Sequence, residues 1–458
     1  MRGTVTSVCI SLLCGCLLGC STAGKPPAGT KLTVHIQPST AAPSASSAGQ
    51  PREPQEWWTD GGGVKRQFRG AGALPPGGHF SASKISLPKY SHGTLIDAQG
   101  RLWLNIDKAL CMIEPPASEP RRITDPSAER YYGFTLRPDG NLLDERIPLD
   151  RPYSDEEWFD NLEQHMLRTQ VVLQAPSGKV LWTWPVHRRT SALLAAPDGS
   201  AYCIAPAPRD DPQAKSVLYA LTAGGELRWE LEIPDVLGAV ECLALADDGT
   251  LYCAGASGTL YAITTDGVIK WVHRAGMAVD WKGKGKLRIP VPSSDTDSLG
   301  HFGSLLITDS GDVIYSAGSD RCIYCIAPDG HRRWKFRPRR DFTLHMALAP
   351  DGSLYVADHT GWLYKLDTAG RRTWSRKTDV WTATELAVDS AGNIYCACKN
   401  LDMLVLDPGG NELYRDRLPG WPNSVALGSD GTFYCTTRAA TSLSGTESAL
   451  YMLTPTMR

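Results

Sequence analysis

A closed ring of about eight four-stranded antiparallel repeats, an all-β propeller, is the fold class this sequence predicts, with a seven-bladed ring as the alternative count. Three observations predict it. A glycine follows a short apolar run at Gly100, Gly140, Gly199, Gly249, Gly311, Gly352, Gly392 and Gly431, which marks eight candidate blades. A second glycine stands four residues before a large aromatic in segments ending at Trp182, Trp229, Trp271, Trp334, Trp374 and Tyr414. The last repeat stops at Pro455, one strand short, while an unassigned strand-like segment precedes the first repeat. Self-similarity at a fixed period is the mark of a repeat architecture.

The composition agrees with many short strands joined by tight turns: 44 Gly, 32 Pro, 14 Trp and 16 Tyr in 458 residues. Gly supplies positive φ at turns and aromatics cover sheet faces. A net charge of −2 excludes a polyanion-binding surface of the usual kind, which needs an excess of Lys and Arg, so no nucleic-acid partner is expected.

In chain order, the first element is an export signal. Arg2 supplies a positive start and Val5 to Leu18 an apolar run too short for a stable membrane span. It ends in Leu17-Leu18-Gly19-Cys20, which resembles the lipobox of bacterial lipoproteins. That resemblance implies cleavage before Cys20, acylation of Cys20, and attachment in the cell envelope, on the periplasmic side of the outer membrane or at the cell surface. Residues 1–19 are then the signal, and 20–78, rich in Pro, Ala, Ser and Gly, a flexible tether that lacks the apolar density to offset ordering entropy.

The propeller occupies 79–458. Its unit is clearest from Glu241 to His273, where four apolar runs, strands a to d, are separated by turn signals such as Asp248-Gly249 and Asp266-Gly267. The segment His79 to Leu87 is expected to supply the missing outer strand of the last blade and so remove the free edges of an open array. Nine cysteines follow Cys20, at strand positions that favour packing. Cys322 and Cys325 mimic a metal or redox pair, but residues three apart in a strand point to opposite faces.

The third- and fourth-strand strings, such as LYAITTDGVIKW ending at Trp271, resemble the repeats of pyrroloquinoline-quinone-like propellers over nearly all of residues 90 to 458. The resemblance implies fold more strongly than function. The quinone dehydrogenases of this family share a vicinal Cys-Cys pair that this sequence lacks, and the turn from Ala262 to Gly267 is one residue shorter than theirs. Neither quinone nor calcium is therefore expected. An eight-bladed outer-membrane assembly lipoprotein is similar in plan.

Insertions choose between the faces of the ring. Those at Asp144 to Arg168, Pro206 to Lys215, Arg274 to Gly300 and Thr437 to Glu447 all fall on b–c or d–a connections, which share one face. Long loops on a rigid scaffold are the usual carriers of function. The candidate ligand residues are Trp158, on a short helix in the first insertion; Lys282, Lys284 and Lys286, a basic run; Trp381 and Trp421, ring platforms at the starts of blades seven and eight; and His345 and Glu385, a possible acid–base pair at inner-strand positions of adjacent blades. The expected function is a monomeric, non-catalytic binding module or assembly scaffold for an envelope protein or glycan. The alternative is an enzyme, either a quinone-dependent oxidoreductase or a carbohydrate-active hydrolase or lyase using His345 and Glu385.

Overall fold

The structure is a computed structural model. It describes residues 35–36, 69–70, 72–74 and 79–456, the last stretch less 207–214, 234–239, 276–304, 440–445 and several runs of one to four residues. The chain forms eight antiparallel sheets, each a four-stranded blade, that of blade 3 gaining a fifth, two-residue strand at its outer edge. Strands a to d of blade 1 are Ser91–Ile96, Leu102–Ile106, Ala109–Ile113 and Arg121–Arg122. Blade 2 has Glu129–Leu136, Leu142–Pro148, Gln170–Gln174 and Val180–Pro185. Blade 3 has Ala192–Ala195, Ala201–Ala205, Ser216–Leu221 and Leu227–Ile233, and blade 4 Val240–Leu245, Leu251–Gly255, Thr259–Ile263 and Ile269–Arg274. Leu305–Ile307, Val313–Ala317, Cys322–Ile326 and Arg332–Phe336 make blade 5. Leu344–Leu348, Leu354–Asp358, Trp362–Leu366 and Arg372–Lys377 make blade 6. Blade 7 has Ala383–Val388, Ile394–Cys398, Asp402–Leu406 and Glu412–Arg417.

Blade 8 takes its first three strands from the end of the chain, Trp421–Leu427, Phe433–Arg438 and Ala449–Thr456, and its outer strand, His79–Ser86, from before blade 1. The pairing is continuous from His79↔Thr456 to Ser86↔Ala449. Lys84 forms an ion pair with Glu447 across this junction.

The turn residues follow from local chemistry. In the a–b turn of blade 4 the Asp248 carboxylate accepts the Thr250 N–H at 2.9 Å while Gly249 adopts a φ of +79°. The aromatic of strand d has a different role: it leaves its own blade. Trp182, Trp229, Trp271, Trp334 and Trp374 each donate from Nε1 to a carbonyl in the c–d turn of the following blade, at 2.7–3.1 Å. The glycine of that turn lies under the indole. A Cβ on Gly370 would meet Cδ2 of Trp334 at 2.5 Å. Tyr414 replaces Trp in blade 7 because blade 8 has no c–d turn to receive it, its outer strand arriving from elsewhere; the ring packs instead on Phe80 of that strand, 5.4 Å between centroids.

Strands b and c carry the core, with five consecutive buried residues in strands such as Leu102–Ile106 and Cys322–Ile326. All nine cysteines from Cys111 to Cys435 are buried free thiols. Cys322 lies opposite Ala317 in the register of one neighbouring strand and Cys325 opposite Trp334 in that of the other.

The sequence places the first insertion from Asp144, but strand b of blade 2 runs on to Pro148. Asp144, Glu145 and Arg146 read as a loop because they are charged, yet each is buried and satisfied within the sheet. Arg146 grips both oxygens of Asp144 at 2.7 and 2.8 Å, and Glu145 accepts from the N–H and hydroxyl of Thr190. Buried charges survive when paired and hydrogen-bonded.

Two short pieces from the expected tether sit on the ring. His35–Ile36 pairs with the outer strand of blade 3, His35 opposite Glu230. Arg69 bridges to Val388, the Gly70 N–H donates to the Val388 carbonyl at 2.9 Å, and the Ser390 N–H donates to the Gly72 carbonyl. Arg69 also forms a two-pronged bond to Asp309 of blade 5, both prongs 3.1 Å. Among the described residues no helix is long and apolar enough to cross a membrane.

Candidate functional site

Antiparallel strands put the b–c and d–a connections on one face of the ring and the a–b and c–d turns on the other. On the second face the turns are minimal and the N-terminal chain lies across blades 5, 7 and 8. Gly70 is pressed against Leu427 so closely that a Cβ would stand 2.6 Å from its side chain. The first face holds the connections Pro148 to Gln170, Ala205 to Ser216, Arg274 to Leu305 and Arg438 to Ala449, so the expected concentration of long loops on one side holds.

The sequence-derived residues are distributed as follows. Trp421 opens strand a of blade 8 on the loop-rich face, half-buried, and is the cross-strand partner of Arg438, whose Cζ lies 5.3 Å from the ring centroid. The indole therefore shares its surroundings with a guanidinium. His345 is buried in strand a of blade 6 opposite Ala357, and Glu385 occupies the matching position of blade 7 opposite Ala397. Their backbones thus sit at one level on neighbouring inner strands. The side chain of Glu385 lies outside the described residues, as do Cys20, Trp158, Lys282, Lys284, Lys286 and Trp381. Ser424, at the same level in blade 8, bonds Thr436 at 2.6 Å and Thr94 at 3.0 Å, tying the last blade to the first. Among the described residues no group of three His, Cys, Asp or Glu is placed to hold a metal ion.

The structure adds a feature the sequence does not display. Two further guanidinium–aromatic contacts lie on the loop-rich face. Arg151 stands 4.2 Å from the ring centroid of Tyr153 in the first insertion, and Arg339 stands 5.2 Å from that of Trp362 at the junction of blades 5 and 6. The first belongs to a polar cluster in which Tyr153 donates to Asp150 at 2.7 Å, Arg168 stands 3.3 Å from the same carboxylate, and the buried His165 packs edge-on against Tyr153. The bond from Tyr153 and the nearby Arg168 hold the Asp150 carboxyl down at about 2. A cation over an exposed ring contributes about 0.5–1 kcal/mol. In the first of these contacts the guanidinium is also held by Glu157, which accepts from both Arg151 Nη atoms at 3.3 Å.

Comparison with known proteins places this geometry in a family. The sequence-family profile described as outer membrane protein assembly factor BamB matches residues 168–282 and 279–432, more than half of the chain. The chain belongs to this family. No curated protein matches it. Among solved structures, the quinohemoprotein alcohol dehydrogenase from Comamonas testosteroni has 11% identity and a TM-score of 0.60, over 89% of this chain and 81% of that one. A europium-containing methanol dehydrogenase has 11% identity and a TM-score of 0.59, over 88% and 98%. BamB from Moraxella catarrhalis has 13% identity and a TM-score of 0.49, over 82% and 98%. At such identity the likeness to the dehydrogenases is one of fold. The BamB-family assignment rests on the sequence profile, which spans the outer two strands of blade 2, blades 3 to 7 and the inner strand of blade 8.

Proposed function

We propose that this BamB-family propeller is a non-catalytic scaffold of the bacterial cell envelope, lipid-anchored through Cys20, that presents its loop-rich face to a protein partner in an assembly complex. The observation that carries the choice of face is the seating of Arg69, Gly70 and Gly72 on the opposite one. There the chain's own N-terminal segment covers ground that a partner would otherwise share. The family's description as an outer membrane protein assembly factor supports the class of partner. The insertions and the three guanidinium–aromatic contacts support the face, since Arg and aromatic side chains dominate the energetics of protein interfaces. Residues 20–78 act as the tether, and Trp421, Trp158, Trp381, His345, Glu385 and the Lys282, Lys284 and Lys286 run remain candidate contacts.

Photo-crosslinking residues placed at Leu167 and Trp421 on the loop-rich face, and at Asp139 and Asp351 on the other, test this in the native envelope. One recurring envelope protein captured from the first pair and absent from the second is the expected result. Equal capture from both pairs overturns the assignment of face. Cys20→Ala should release the protein from the membrane fraction. A rise in thermal stability or dye reduction on adding the quinone with calcium would overturn the non-catalytic assignment.

A further inference from the structure

The outer strands of blades 5 and 6 are rich in basic residues. Around the first, Arg332, Arg333, Lys335, Arg337 and Arg339 are exposed; around the second, Arg371, Arg372 and Lys377. Neither Arg332–Phe336 nor Arg372–Lys377 contains an acidic residue. Arg333 is paired with Asp312 at 2.7 Å and Arg371 with Asp367 at 2.8 Å. Arg337, Arg339 and Lys377 meet no carboxylate among the described residues.

These last three gather at the loop-rich end. Trp362 is half-exposed, Arg339 lies 5.2 Å from its centroid, and Lys377 is its cross-strand partner. Packing holds the bracket in place. The Arg339 N–H donates to the Tyr364 hydroxyl at 3.3 Å, and that hydroxyl donates to Asp358 at 2.9 Å. Tyr364 also packs edge-on against Phe336 at 5.6 Å. Asp358, which accepts the Tyr364 hydroxyl of this cluster, is 1% exposed and also accepts from Thr360 and Trp362. Among the described residues it forms no ion pair with the three outer cations.

We propose that this end of blades 5 and 6 docks an extended acidic segment of the partner protein, with carboxylates taken by Arg339, Lys377 and Arg337 around the ring of Trp362. This rests on the scaffold function proposed above and names the chemistry of the partner at one place on that face. A guanidinium stacked on an indole keeps its fork pre-oriented for a carboxylate. An anionic lipid surface is the less favoured occupant, because surface binding of that kind adds inserted apolar side chains to the charge. The exposed large hydrophobics, Leu167 apart, lie on blades 2, 3, 4 and 7, and blades 5 and 6 carry none.

The test uses the full chain purified in detergent and three probes: a fluorescein-labelled nonapeptide of alternating Glu and Val, the same peptide with Gln for Glu, and water-soluble dihexanoyl phosphatidylglycerol. The Glu peptide is expected to bind at least tenfold more tightly than the Gln peptide. Arg339→Gln with Lys377→Gln should weaken it at least tenfold at an unchanged melting temperature, and Trp362→Phe should weaken it less. Equal binding of the two peptides, binding indifferent to the double substitution, or stronger displacement by the lipid than by unlabelled Glu peptide overturns the proposal. Failure of this proposal alone leaves crosslinking from Leu167 intact in the double variant; failure of the scaffold function removes that crosslink in the parent protein as well.

Discussion

Trp334 of blade 5 rests on Gly370 of blade 6, its indole N–H bonded to the Thr368 carbonyl at 3.0 Å. The repeated spacing of glycine and aromatic is thus a contact between successive repeats: the glycine of one turn receives the tryptophan of the preceding blade.

Substitution at two glycines of similar backbone separates the contact from the turn. Gly370 has a φ of +74° and an indole where its Cβ would go; Gly100 has a φ of +73° and open space. An L-residue in this region costs about 1–2 kcal/mol, and overpacking adds about 1–3 kcal/mol. Chemical denaturation should therefore show Gly370→Ala to be the more damaging of the two, by at least about 1 kcal/mol. Equal losses would mean that the indole moves aside without cost.

Closure can be tested by moving the closing strand. Deleting the chain through Pro88 strips the outer strand from blade 8 and bares the edge of Ala449–Thr456. The truncated protein should melt well below the parent. A permuted chain that carries His79 to Leu87 after Arg458 through a short Gly-Ser linker should recover most of the difference, as measured by calorimetry. A truncated protein that melts like its parent would refute the closure.

The thiols should report unfolding. Burial pushes Cys325 and Cys396 up to about 12 and holds Cys203 and Cys398 well above the usual thiol range as well. The thiolate is the nucleophile, so a disulfide reagent at pH 8 should label these residues slowly in the folded protein and rapidly in denaturant. Fast labelling of Cys396 without denaturant would show that blade 7 opens locally.

Asn105 in blade 1 is 1% exposed and its amide makes no hydrogen bond among the described residues. The matching position is Ala254 in blade 4, Ala357 in blade 6 and Ala397 in blade 7. An unsatisfied buried polar group costs about 1–3 kcal/mol, so Asn105→Ala should be neutral or stabilising in a thermal melt. A loss above about 1 kcal/mol would show that an ordered water or a local shift satisfies the amide.

Much of the ring was legible in the sequence because each blade repeats one short hydrogen-bonded pattern. Gly249 and Gly267 mark turns whether or not their neighbours are known. What stayed hidden depends on pairs brought together only by the closed ring. Arg339 and Trp362 belong to different blades, and Arg69 finds Asp309 across 240 residues. Asp144, Glu145 and Arg146 hid a strand because side-chain charge outweighs propensity in any reading by hydropathy. Asp144 and Arg146 satisfy each other along one strand, while Glu145 finds Thr190 only in the assembled sheets. The loop-rich face was visible from insertion lengths, but Arg339, Trp362 and Lys377 lie outside those insertions, on regular strands and their ends.

The seat of the N-terminal chain also has a mechanical consequence. A tension applied to the chain ahead of Arg69 reaches the Arg69–Asp309 fork and the wedge of Gly72 beneath Gly431 before it reaches His79. The strand that locks the ring is thereby shielded from being peeled from its end, and the first bonds to yield are ones the propeller can lose without opening.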